Sequence, residues 1–534
     1  MRLFGLAYVL GLILLYGSGC KPKAPAPQRV VDSSVADTLM QITEPGIAAF
    51  DSLQLDGFFA LHPGVKNFDT VTRLYYHNRN YKFIWLPQGK LTEVAYAMMA
   101  NTEEIFAAKG IKDTYGQKLD SLLQTFGTAT ALPDSQRVLT ELLLTARYFT
   151  YVDKVVKGAV DESVANKLGW LLPRRKVSLT AMLDSFLIAP NWDTFEKNAI
   201  NSQYFKLRQA LQRYKLLAAG TETAVYWPAG QKSIRAGDSS ALIGRIARRL
   251  TELGYLPALT ADTLHAGPDV ISAIAKAQRA YGLQEDSTMG RSLADALNVP
   301  ARERLKTLLV NMERMRWVPE RIGADNLILV NIPDYKLIYY QNGQPVWNCR
   351  VVVGSPMHKT VIFSGIMDYV VFSPYWYVPQ SIINNEIGLA RAKSPAYLKR
   401  KNMEWSGGSL REKPGPNNSL GRVKFIFPNS NSIYLHDTPA KDLFNREQRA
   451  FSHGCIRVGE PFELAKRVLA YDTLWTDARI KAAMAATTEQ KVILKQKVPV
   501  YITYFTAFAD AQGLVHFRKD VYNRDEALFK ELVR

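Results

Sequence analysis

Ser452-His453-Gly454-Cys455-Ile456-Arg457-Val458 is the stretch on which the reading of this chain turns, and Tyr434-Leu435-His436-Asp437-Thr438 lies a short way upstream of it. A cysteine attacks only as its thiolate, and a free thiol with a pKa of about 8.5 is mostly protonated at neutral pH. A histidine within hydrogen-bond reach takes that proton and later returns it to a leaving group. Gly454 lets the backbone come close to a substrate, so that amides around Cys455 can face a developing oxyanion. Arg457 offers a bidentate grip for a carboxylate.

An isolated Cys-His pair reads equally well as a buried cysteine beside a hydrogen-bonded histidine. The whole run is more specific, and it resembles the signature of the L,D-transpeptidases, YkuD-type enzymes that crosslink peptidoglycan. That signature places a histidine upstream of a Ser/Thr-His-Gly-Cys-x-Arg run, and His436 stands 19 positions before Cys455. Trp376-Tyr377-Val378-Pro379, Pro414-Gly415-Pro416-Asn417-Asn418-Ser419-Leu420-Gly421 and Leu435-His436-Asp437-Thr438-Pro439 are similar to the large, multidomain branch of the family. The resemblance implies that Cys455 is the nucleophile and His436 the general base, with backbone amides at Gly454 and Cys455 holding the oxyanion. It implies a donor stem tetrapeptide that loses its terminal D-alanine and an acceptor diamino acid on a second stem. Tyr434, Ser452, His453, Arg457 and Trp376 are the candidates for positioning the peptide, and no cofactor is called for. The same thioester resolved by water would make an L,D-carboxypeptidase. A non-catalytic peptidoglycan-binding scaffold would need to have lost Cys455 or His436, and both are present. His436, His453 and Cys455 are nominally three zinc ligands, but no His-Glu-x-x-His or Cys-x-x-Cys companion accompanies them, so no metal is expected.

The 534 residues suggest several domains. A hydrophobic content of 47% with 22% charged residues is ordinary for globular material. The formal charge of +18 favours an acidic neighbour. No nucleic-acid motif is present, so acidic stem peptides and anionic envelope polymers are the expected partners.

Arg2, the apolar run Leu3 to Tyr16 and Gly17-Ser18-Gly19-Cys20 read as a lipoprotein-type signal peptide over residues 1–20. Cys20 is then the lipidated anchor, although Gly17 departs from the leucine usual three residues before such a cysteine. Residues 21–45 begin Lys-Pro-Lys-Ala-Pro-Ala-Pro, a stiff tether. The expected location is the cell envelope, exported and periplasm-facing, with the lipid at Cys20 holding the protein to a membrane. Cys349, on a strand with Trp347, Val351 and Val353, reads as a core residue.

The expected architecture is multidomain α+β. Residues 46–225 show helical spacing, as in Val138, Leu139, Leu142, Leu143 and Ala146, and one helix runs from Phe195 through Leu217 to Gly220. They resemble the family's scaffold region. Residues 226–300, with Asp238 and Ser239 as helix caps and Ala280-Tyr281-Gly282-Leu283 closing a second helix, resemble a three-helix peptidoglycan-binding module, from which Ala277 and Ser287 depart. Residues 301–508 form the catalytic domain, which opens on a helix ending at Trp317. Short strands follow, with a hairpin at Asn342-Gly343, and argue for a sandwich or open barrel. Within it, 373–420 is rich in Pro, Gly, Asn and Lys, with one helix expected over 390–401, and is the candidate lid or substrate loop. Residues 509–534 are a tail.

Overall fold

The computed structural model describes residues 47–109, 115–128, 133–189, 191–259, 261–318, 326–388 and 396–533. The expected leader with Cys20 and the tether 21–45 lie outside the described residues. So do residues 390–395 of the helix expected over 390–401, of which Tyr397–Arg400 is helical.

Helix Asp134–Tyr151 is the axis of the N-terminal region. Leu142, Leu143 and Ala146 are buried at helical spacing, and Thr140, Glu141, Thr145 and Arg147 are buried with them. A helix covered on all sides belongs inside a bundle, and the polar groups it carries must be satisfied there. Glu141 accepts from the Ile84 amide at 2.7 Å, the Trp85 amide at 3.0 Å and the Tyr76 hydroxyl at 2.8 Å, and burial raises its pKa to about 7. The single helix expected from Phe195 to Leu217 is two, Trp192–Ala199 and Ser202–Ala219. Asn201 caps the second, its side chain accepting from the Gln203 amide at 2.9 Å.

Residues 226–300 fold into three helices, Ile243–Glu252, Pro268–Tyr281 and Arg291–Leu297. The cap expected at Asp238 and Ser239 falls elsewhere. Asp238 accepts from the Arg235 amide in the preceding turn, and the Ser240 hydroxyl accepts from Leu242 at the helix start. Gln278 donates to Asp286 and accepts from the Ser287 amide, tying the second helix to the turn after it. Ser287 holds a φ of +58°, the left-handed region that glycine occupies without cost.

Helix Ala301–Trp317 leads into the β-region. Its strands are β1 (Leu327–Asn331), β2 (Lys336–Gln341), β3 (Gln344–Gly354), β4 (Ser364–Phe372), β5 (Trp376–Tyr377), β6 (Met403–Ser406), β7 (Ser409–Glu412), β8 (Val423–Ile426), β9 (Leu435–His436), β10 (Ala450–Ser452), β11 (Ile456–Val458) and β12 (Gln490–Thr503). Asn342 and Gly343, at φ +50° and +75°, make the tight β2–β3 turn. Nine strands form one sheet in the order β10-β3-β11-β9-β8-β4-β12-β1-β2, and β3 also pairs with β2, so the hydrogen-bonded ladder closes on itself. Cys349, Val351 and Val353 of β3, Leu435 of β9, and Ile456 and Val458 of β11 fill the interior. Burial pushes the Cys349 thiol up to about 12.

β5, β7 and β6 form a separate three-stranded sheet. Val378, Ile387 and Leu410 make a small apolar cluster there, distinct from the main core. The tail is structured: β13 (Ala507–Ala509) pairs with β14 (Val515–Phe517), and a helix covers Asp525–Leu532.

Candidate active site

Strand alternation assembles the site. β9 and β11 run parallel, with Ile456 beside Leu435 and Arg457 beside His436. Leu435, Ile456 and Val458 point into the core, so Tyr434, His436, Cys455 and Arg457 share the opposite face. On the other side of β9, Lys424 of β8 is the cross-strand partner of His436. The imidazole therefore lies between two cationic residues.

His436 is buried, and its Nδ1 donates to the Asp437 carbonyl oxygen at 2.5 Å. A carbonyl only accepts, so the hydrogen sits on Nδ1 and Nε2 keeps its lone pair. Burial, reinforced by the Arg457 charge, lowers the pKa of His436 to about 4. The ring is neutral and able to accept a proton across the physiological range. The Asp437 carboxylate is engaged elsewhere, accepting from the Arg422 amide at 2.8 Å, the Thr438 amide at 2.7 Å and Lys441 Nζ at 2.5 Å. Gly421 makes room for it at φ +64°, since a Cβ there would lie 2.4 Å from Asp437 Cγ.

Cys455 is half-buried, and its Sγ faces the Ser432 carbonyl oxygen at 3.6 Å. Burial raises its pKa, opposed by hydrogen bonds from the Tyr434 amide and hydroxyl and by the Arg457 charge. The thiol is thus held as a neutral SH near a neutral imidazole. The guanidinium of Arg457 is lowered in pKa by burial, and its Nε has no hydrogen-bond partner. A buried donor left open beside the Cys455 thiol is a place for an anionic group.

The turn that carries Cys455 is braced internally. The Ser452 hydroxyl donates to the Cys455 carbonyl at 2.5 Å and accepts from the Gly454 amide at 3.1 Å. Gly454 adopts φ +115°, which only glycine takes without strain. Ser452, a candidate for substrate contact, spends its hydroxyl on this turn. His453 is exposed, its ring centroid 4.9 Å from that of His358. Trp376 packs against the apolar cluster of the β5–β7 insertion. Among the described residues no three His, Cys, Asp or Glu side chains converge as a metal site.

Two supporting residues carry no sequence signal. Thr360 donates from Oγ1 to the Gly454 carbonyl at 2.8 Å, and Tyr522, in the tail, accepts from the Thr360 amide at 3.2 Å. Neither belongs to a motif or a periodic pattern, and the contact with Tyr522 spans 162 positions.

Residues 325–502 match the YkuD family, an L,D-transpeptidase catalytic domain, and residues 70–211 match a scaffold domain. A Haemophilus influenzae protein named "Putative L,D-transpeptidase" is 31% identical over 242 residues, which is 41% of this chain and 48% of that protein. The match thus spans about half the length of that relative. A solved L,D-transpeptidase from Xylanimonas cellulosilytica is similar at 14% identity, covering 52% of this chain and 100% of its own, with a TM-score of 0.18. One from Mycobacterium smegmatis is also 14% identical, covering 34% and 59% with a TM-score of 0.20.

Proposed function

Residues 325–502 belong to the YkuD L,D-transpeptidase catalytic domains, and on that premise we propose that the protein crosslinks peptidoglycan stem peptides through a thioester on Cys455. The observation that carries the reading is the shared face of β9 and β11, which carries the Cys455 thiol, a neutral imidazole held through Nδ1 by the Asp437 carbonyl, and the Arg457 guanidinium with its Nε unpartnered. The step requires Cys455 Sγ, which faces the Ser432 carbonyl, to turn towards the imidazole. His436 Nε2 takes the thiol proton as Sγ attacks the carbonyl of the third residue of a donor tetrapeptide. The Cys455 amide donates to the oxyanion. Collapse breaks the peptide bond, and terminal D-alanine leaves with the proton from the imidazolium. The side-chain amine of a diamino acid on a second stem then attacks the thioester, giving its proton to His436, and Sγ departs. The cationic flank of Arg457 and Lys424 suits the acidic stem, and Tyr434 borders the thiol. Residues 373–420 are the candidate lid. The chain is exported and held at the envelope by lipid on Cys20, and residues 226–300 bind the polymer.

The test is mass spectrometry of stem tetrapeptides incubated with the purified protein. Dimers joined between third residues establish transpeptidation. Tripeptides alone mean a carboxypeptidase, and unchanged peptide means a non-catalytic scaffold. A carbapenem, an acyl donor for this family, should add to Cys455 and leave Cys349 untouched, since burial holds that second thiol protonated.

A further inference from the structure

We propose that the C-terminal tail takes part in catalysis through Tyr522, a positioning residue that acts with Thr360 to aim the Cys455 amide at the oxyanion. The inference rests on the thioester reading above. Tyr522 lies beyond the matched catalytic domain, which ends at residue 502.

The argument is a chain of buried hydrogen bonds. Thr360 Oγ1 donates to the Gly454 carbonyl at 2.8 Å and accepts from the Gly354 amide at 2.9 Å. The Tyr522 hydroxyl accepts from the Thr360 amide at 3.2 Å and donates to the Gly354 carbonyl at 2.7 Å. Together they clamp Gly354, where a Cβ would fall 2.0 Å from the His358 carbonyl. Tyr522 is itself fixed. Its amide donates to the Tyr504 hydroxyl at 2.7 Å, and that hydroxyl donates to Asp520 at 2.6 Å. Asp520 in turn accepts from the Arg524 and Asp525 amides at the start of the last helix. Thr360, Tyr504 and Tyr522 are all buried.

The consequence for chemistry follows from the planarity of the peptide bond. In a trans peptide the C=O and N–H point in opposite directions. Holding the Gly454 carbonyl against Thr360 therefore directs the Cys455 N–H away from Thr360. The Gly454 N–H is already spent on Ser452, so the Cys455 N–H is the donor left for the oxyanion. An oxyanion donor acts by being in place before charge develops. Gly454, at φ +115°, is a backbone that turns readily unless something holds it. The tail supplies that hold.

The test uses the full chain and compares Thr360→Val, Thr360→Ser and Tyr522→Phe. Acylation by a carbapenem and turnover of stem tetrapeptide are measured beside the pH dependence of Cys455 alkylation by iodoacetamide and the melting temperature. Thr360→Val should slow acylation about 10²-fold, the usual scale for a lost oxyanion donor, and Tyr522→Phe about tenfold. Both losses should fall on kcat rather than KM and leave the alkylation profile in place. Thr360→Ser, which keeps the hydroxyl, should retain most of the rate. Wild-type rates in Tyr522→Phe overturn the proposal. So does a loss that alkylation and melting share in proportion, or a Thr360→Ser variant as slow as Thr360→Val. A wild-type protein that takes no carbapenem and releases no D-alanine defeats the thioester reading instead.

Discussion

The insertion 376–412 and the tail 504–533 are of similar size and both look irregular in sequence, yet they are built into the molecule in opposite ways. The insertion has its own sheet and its own apolar cluster of Val378, Ile387 and Leu410, outside the main core. The tail has no cluster of its own. Tyr504, Phe505, Ala507, Phe517, Tyr522 and Leu528 all belong to the main core. Its polar groups reach the scaffold, the three-helix module and the helix that leads into the sheet. Gln203 of the helical scaffold exchanges two hydrogen bonds with Ala509, Arg518 donates to Ala280 in the three-helix module, and Arg314 pairs with Asp525 at 2.6 Å.

The two regions also divide the active centre. The insertion leaves the sheet after β4 and returns before β8, so its root adjoins the residues that seat His436: Leu420, Gly421 and the Asp437 carboxylate. The tail supports the other half, through Tyr522, Thr360 and the nucleophile turn. The root of the insertion adjoins the seat of His436, and the tail braces the turn that carries Cys455.

The largest effect expected is on folding itself. Ending the chain after Thr503 removes Tyr504, Phe505, Phe517, Tyr522 and Leu528 from the core. At about 2 kcal/mol for each buried side chain, the loss is on the order of 10 kcal/mol, comparable to the whole net stability of about 5–15 kcal/mol. No cooperative melting transition should remain. Trp376 and Glu412 are cross-strand partners, so joining Tyr375 to Lys413 through Gly-Gly should leave the closed ladder and its melting transition largely intact. Circular dichroism of both variants decides the matter. A truncated protein that melts like wild type, or an excised one that fails to fold, would erase the contrast.

His436→Ala should cost at least about 10²-fold in acylation, the scale of a lost general base. His453→Ala should cost far less, because that ring is exposed and packs near His358 rather than between Lys424 and Arg457. Equal losses, measured as carbapenem adduct per unit time, would mean that the base has been misplaced.

A smaller effect probes the insertion's root. Gly421→Ala places a methyl 2.4 Å from Asp437 Cγ at a φ of +64°, a strain of about 1–3 kcal/mol. Displacing Asp437 moves the carbonyl that fixes the His436 tautomer, so acylation should fall about tenfold while alkylation of Cys455 persists. An unchanged rate would free the base from the insertion's root.

The division of labour was only half legible in the sequence. Ser452 to Val458 singled out Cys455 as the candidate nucleophile, and the strands were readable because β2 and β3 alternate and Asn342-Gly343 turns them. The place of Cys349 in the core followed from the same alternation. The seat of His436 was partly legible: Asp437 follows it directly in the sequence, and it is the Asp437 carbonyl that holds Nδ1. The tail was opaque because its contacts are single residues meeting partners far away in the chain, such as Tyr522 with Gly354, 168 positions off. Periodicity reports a face, and such contacts have none. The three-helix module misled at Asp238, where a good capping residue serves the turn before the helix instead.

The smallest effect is a shift in pH, and it asks how well the two regions seal the base. The folded pKa of His436, about 4, lies below the ordinary value of 6.5 because burial disfavours the imidazolium and Arg457 repels it. Between those two values the unfolded chain binds a proton that the folded chain does not, so stability rises with pH there. The contribution is fully present above about pH 6.5 and is lost as pH falls towards 4, and a gap of this size is worth about 3 kcal/mol. Activity should follow the same group: the acid limb of carbapenem acylation should lie near pH 4 and not near 6.5. Arg457→Gln removes the smaller of the two causes, so its acid limb should move up by less than the full gap. Excising 376–412 should move it further if the insertion helps keep water from the ring. Each profile is compared with its own plateau, which separates the shift from any loss of substrate binding. A wild-type limb at 6.5 would mean that His436 is solvated in the working enzyme, and that the insertion's root does not bury the base it holds.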